Sequence, residues 1–184
     1  KQFLAIALAI IFIPQITISQ NLVPNPSFEN YTACPLGPSE FDNTVNWNNP
    51  SGATPDLLNE CSWAIGGVAV PANILGNEPA RTGQGYAGLI AYEDFPVGCP
   101  GVFGSEWREY LQTQLTSPMV AGQQYCVQFH VSAGDNCRYA VEEIGAYFST
   151  TPINYADSNA MPYVPQVVNQ TGVLTDTANW TLIS

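Results

Sequence analysis

The chain has 184 residues, of which 15 are acidic and only four are Lys or Arg, giving a formal net charge of −11. A surface of that sign repels phosphate backbones and anionic lipid, so nucleic acid is excluded as a partner, while divalent cations and neutral ligands such as sugars are electrostatically acceptable. Acidity also serves simply to keep a protein soluble, so the charge alone names no ligand.

Residues 1–13 read KQFLAIALAIIFI, one basic residue and an apolar run that Pro14 ends. Thr17 and Ser19 then place small residues where a signal peptidase reads them, so 1–19 is expected to be a cleaved signal peptide. The run is shorter than the ~20 apolar residues that span a bilayer. No later stretch is long enough, so the mature chain has no expected membrane span. Residues 20–184 fit one domain with a sizeable core. Loss of Lys1 leaves three arginines against 15 acids.

Along the mature chain the pattern is that of a β protein. Residues 21–29, NLVPNPSFE, form a strand candidate that two prolines confine to an edge. Residues 30–80 are loop-rich, with Leu57, Trp47 and Trp63 as apolar plugs. A strand is expected at 86–92, YAGLIAY. In 107–117, Leu111, Thr113 and Leu115 share one face and Tyr110, Gln112 and Gln114 the other. The clearest strand is 124–132. There Tyr125, Val127, Phe129 and Val131 alternate with Cys126, Gln128, His130 and Ser132. A short turn at 118–123 suggests that these two strands pair antiparallel. Further strands are expected at 144–149, with Ile144, Ala146 and Phe148 inward, at 166–172 and at 180–184. Short strands with recurring turn signals argue for an antiparallel β-sandwich. The stop at NWTLIS, inside a strand-like run, suggests a domain incomplete at its C-terminus, with further domains beyond.

Five cysteines, Cys34, Cys61, Cys99, Cys126 and Cys137, occur without a CxxC. Zinc is therefore disfavoured and disulfides fit an exported chain. Cys34 and Cys61 lie in loop-like sequence and are the preferred pair. Cys126 is as compatible with a buried free thiol, and the pairing of Cys99 and Cys137 stays open.

Chemistry-bearing residues are few. His130 is the single histidine, and neither GxSxG nor HExxH occurs. Glu142 and Glu143 are neighbours that point to opposite faces of an extended chain, and Arg138 is expected to form a structural ion pair with a nearby acid. A sugar-binding face fits better, with aromatic stacking and amide hydrogen bonds in a shallow groove. Tyr110, Gln112, Gln114, Gln128, His130 and Tyr147 are its candidate residues. An ordinary solvated sheet face fits the same pattern.

The opening NLVPNPSFENYTACP resembles the N-terminal domain of Bacteroidetes exported surface proteins, which precedes OmpA-like, gliding-motility-associated or type IX secretion sorting domains. ARTGQGYAGLIAY, REYLQTQLTSPMVAGQQYCVQFHVS, RYAVEEIGAYFST and QVVNQTGVLTDTANWTLIS carry the same resemblance across nearly the whole mature chain. At fold level the order of blocks is similar to the galactose-binding-like jelly roll of carbohydrate-binding modules. That resemblance implies a jelly-roll sandwich at the cell surface and allows a structural calcium with Glu29 as one oxygen ligand. The expected function is a non-catalytic glycan-binding or adhesive module. The alternatives are a structural spacer or protein-docking domain, and a glycan hydrolase.

Overall fold

The computed structural model describes residues 20–63, 67–92 and 106–184. The signal-peptide reading, Cys99 and most of the 93–106 loop lie outside the described residues. Every sheet is antiparallel and contains two short strands, and no α-helix occurs among the described residues. In chain order the strands are β1 (Trp47–Asn48), β2 (Asp56–Asn59), β3 (Ala72–Asn73), β4 (Gly76–Asn77), β5 (Gly85–Gly88), β6 (Gln112–Thr113), β7 (Phe129–Val131), β8 (Gly145–Ala146), β9 (Val167–Val168) and β10 (Thr181–Ile183). A 3₁₀ turn spans Phe41–Asn43. The pairs are β1 with β6, β2 with β5, β3 with β4, β7 with β10 and β8 with β9.

The core lies around β2. All four of its residues are buried, on both faces of the strand. Leu58, Val68 and Val70 form one cluster, against which Leu75, Ala80 and Tyr86 pack. Partner strand β5 approaches closely because it brings glycine: a Cβ on Gly85 would lie 2.5 Å from Asn59 Nδ2 and 2.7 Å from the Leu58 carbonyl oxygen. Tyr86 joins three strand pairs. Its hydroxyl accepts from Asn73 Nδ2 at 2.8 Å and donates to the Glu78 carbonyl at 3.1 Å. Its ring meets Trp180 edge-on at 5.2 Å, just before β10.

The N-terminal segment 21–29 is not a strand but a series of bends and a turn. Asn25 and Phe28 adopt positive φ, 44° and 61°, which breaks any ladder. The Asn25 side chain instead bonds the backbone of Asn30 and Val45. Phe28 seats against Phe41 and Trp47 at 5.8 and 5.1 Å between ring centroids. Trp47 and Leu57 fill apolar gaps as expected. Trp63 does not, being 78 % exposed.

Other expectations need correction. Segments 107–117 and 124–132 do not pair: β6 lies against β1, and β7 against β10. The 86–92 strand shrinks to β5, and the two loop-coded elements β2 and the β3–β4 hairpin enter the fold. Alternation holds in part. Tyr125, Val127, Phe129 and Val131 are half-buried while Cys126 and Gln128 are exposed, but His130 and Ser132 are half-buried as well, and Ile144, Ala146 and Phe148 turn inward. The Cys34–Cys61 disulfide is present, tying the 34 loop to the end of β2. Cys126 is a free thiol but an exposed one, not buried, and Cys137 is disulfide-bonded. The expected Arg138 ion pair does not form among the described residues. No helix there is long and apolar enough to cross a membrane.

Candidate functional site

The five residues expected on two neighbouring strands, and Tyr147 expected on a third, are distributed over separate strand pairs. His130 sits on β7 opposite Leu182. Partial burial and then the Arg81 charge hold its imidazole below the usual range. Gln114 and Gln128 are exposed. Because β6 and β7 are not neighbours, the adjacent-strand groove of Tyr110, Gln112, Gln114, Gln128 and His130 does not form.

Three of the six converge elsewhere, on the 150–166 loop. Gln112 on β6 holds that loop with both ends of its amide: Ile153 N–H donates to Oε1 at 2.7 Å, and Nε2 donates to the Ile153 carbonyl at 3.3 Å. The Tyr110 hydroxyl accepts the Met161 N–H at 3.1 Å. Both side chains thus act as positioning groups rather than as open ligand donors.

Two residues beyond Met161 stands Tyr163, stacked on Tyr147 with centroids 4.9 Å apart and planes 21° apart. The local sequence explains the arrangement. Tyr147 follows β8 on its outward face. Tyr163 is set in MPYVPQ, where Pro162 and Pro165 fix backbone torsions on either side. Gln166 then prolongs the β8–β9 ladder with its side chain, accepting the Phe148 N–H at 2.7 Å and donating to the Phe148 carbonyl at 3.2 Å. The rings are 39 % and 43 % exposed. They form a rigid aromatic platform open to solvent. Asp157 is the only charged residue between Ile144 and Thr175 in the sequence. Sequence reasoning named Tyr147 but missed Tyr163, whose available signal was an aromatic held between two prolines.

Two buried carboxyls were also missed. Asp56 opens β2, and burial pushes its pKa up to about 6, against the Ser39 N–H that it accepts at 2.6 Å; the Glu109 charge raises it further. Glu109 is likewise raised by burial. Its Oε2 accepts the Ile90 N–H at 2.8 Å, and its Oε1 accepts from Trp107 Nε1 and from the N–H and hydroxyl of Thr54. Perturbed carboxyls often mark active sites. Here both are buried, and Glu109 has protein donors on both oxygens, so the arrangement braces the 39, 54 and 90 loops.

Glu29 has a comparable bracing role. Its Oε1 accepts the N–H groups of Gln84 and Gly85 at 3.0 and 3.2 Å, and the carboxylate lies over Gly83. Among the described residues no group of three or more His, Cys, Asp or Glu is arranged to hold a metal ion. No protein-family model, curated protein or solved structure matches this chain.

Proposed function

We propose that the protein is an exported, non-catalytic surface module that binds neutral glycans through the Tyr147–Tyr163 platform. A jelly-roll sandwich of the galactose-binding-like type, and kinship with the N-terminal domains of Bacteroidetes surface proteins, belong to this reading. The observation that carries it is the exposed, proline-braced tyrosine stack. Sugars offer an apolar C–H face to an aromatic ring and hydroxyls to flanking polar groups. A chain of net charge −11 favours neutral over anionic sugars.

A glycan array followed by titration calorimetry tests the reading. Tyr147→Ala and Tyr163→Ala should each weaken binding at least about tenfold, equivalent to ~1.4 kcal/mol. His130→Ala should leave affinity unchanged. Uniform silence across the array would assign the module a spacer role, and turnover of a chromogenic glycoside would make it a hydrolase.

A further inference from the structure

The Tyr147 and Tyr163 rings lie nearly parallel, with centroids 4.9 Å apart and planes 21° apart, and both are open to solvent. Among the described residues this is the one pair of phenols stacked face to face. Tyr92 and Tyr139 meet edge-on instead, at 76° and 5.5 Å, with the Arg108 guanidinium over the Tyr92 ring. Tyr86 meets Trp180 rather than a second phenol. The segment that carries Tyr163 has few other ties. Residues 162–165 make no backbone hydrogen bond among the described residues, and the nearest anchors are Met161 on the Tyr110 hydroxyl and Gln166 on Phe148. The ring stack is thus what fixes Tyr163 against the end of β8.

We propose that Tyr147 and Tyr163 form an oxidative cross-linking site, at which a peroxide-dependent one-electron oxidant joins the two rings as a dityrosine. Each phenol gives up one electron and one proton and becomes a phenoxyl radical. The radicals couple through ring carbons ortho to the oxygens, forming one C–C bond. The hydrogens on those two carbons then move to the oxygens and restore both phenols. One hydrogen peroxide takes up the two electrons and two protons and leaves as two waters. Coupling joins orbital lobes that stand perpendicular to each ring. Stacked rings present lobe to lobe, whereas the edge-on Tyr92–Tyr139 pair sets a lobe against a C–H edge. Holding the two phenols together also turns an encounter between molecules into a step within one. The new bond fastens the 162–165 segment to the end of β8, and its formation needs no bound glycan.

The test treats the native protein with a peroxidase and hydrogen peroxide, after the exposed Cys126 thiol has been blocked with iodoacetamide. A monomer lighter by two hydrogens, with the blue fluorescence of dityrosine, is expected. Its rate of formation should hold constant over an about tenfold dilution of the protein, as a step within one molecule requires. Peptide mapping should join the peptide of Tyr147 to that of Tyr163. Tyr147→Phe and Tyr163→Phe keep a ring to stack but lack the phenol oxygen, and each should lower the intramolecular product at least about tenfold. Mapping on the native protein decides the matter even where a variant does not fold. A cross-link that maps to Tyr92 and Tyr139, a product found only in dimers and rising with protein concentration, or tyrosines left unlinked would overturn the proposal.

Discussion

Asp56→Asn should stabilise the protein at neutral pH and leave it nearly unchanged at pH 4. Asp56 is 6 % exposed, and burial followed by the Glu109 charge moves its pKa from 3.8 to about 6, despite the Ser39 hydrogen bond. The folded state therefore holds the Asp56 proton more tightly than the unfolded chain does. Stability from this group is fully present below about pH 4 and is lost as pH rises through about 6. A shift of about two pKa units corresponds to about 3 kcal/mol. Asparagine keeps the oxygen that accepts the Ser39 N–H but never ionises. Urea unfolding of both proteins at pH 4 and pH 7.5 measures the difference, in which the repulsion among the other acids largely cancels. The variant should gain up to about 3 kcal/mol at pH 7.5 and change by less than about 1 kcal/mol at pH 4. An equal loss at both pH values would refute the reasoning, since it would mean that hydrogen bonds to the carboxylate outweigh its desolvation.

Leu58→Ala, at a fully buried position in the core cluster, should cost about 2–5 kcal/mol in denaturant unfolding. Cys61→Ser opens the 27-residue separation closed by the disulfide and should lower stability by about 3–4 kcal/mol in the chain-entropy model, read by denaturant unfolding; full reduction should cost more, because it also opens the disulfide of Cys137. Gly85→Ala forces a Cβ to within 2.5 Å of Asn59 and 2.7 Å of the Leu58 carbonyl, and calorimetry should show a fall in Tm. Glu29→Gln should have a smaller effect than any of these, because an amide oxygen can still accept from Gln84 and Gly85.

The elements legible in the sequence are those with one wet face. Segments 124–129 and 144–149 alternate because one side of each is partly covered and the other is open; on the β7 ladder itself the period is lost, since Phe129, His130 and Val131 are all half-buried. By contrast β2 is buried on both faces. Its DLLN has no alternation to read, and Pro50 and Pro55 before it mimic a loop. Strand partners were not legible either. The turn at 118–123 invites a local hairpin, but β7 pairs with a strand some 50 positions later, a choice set by packing of distant segments. The disulfide was legible because two cysteines in irregular sequence have few competitors for each other.

The candidate site depends on similarly distant contacts, which explains why sequence periodicity found only one of its two rings. An outward Tyr147 can be read from the parity of 144–149. Nothing in that parity calls for a partner, and Tyr163 reaches it only because three side chains return the 150–166 loop to β6 and β8. Gln112 acts from 41 positions away, Tyr110 from 51, and Gln166 from 18. Amide and phenol groups that looked like open ligand donors on a sheet face turn out to satisfy the loop backbone, which would otherwise leave polar groups unpaired. Their residue types suit either role equally. Only the position of the loop decides between them, and its effect is to transfer the ligand-binding reading from the amides to the stacked rings that they hold in place.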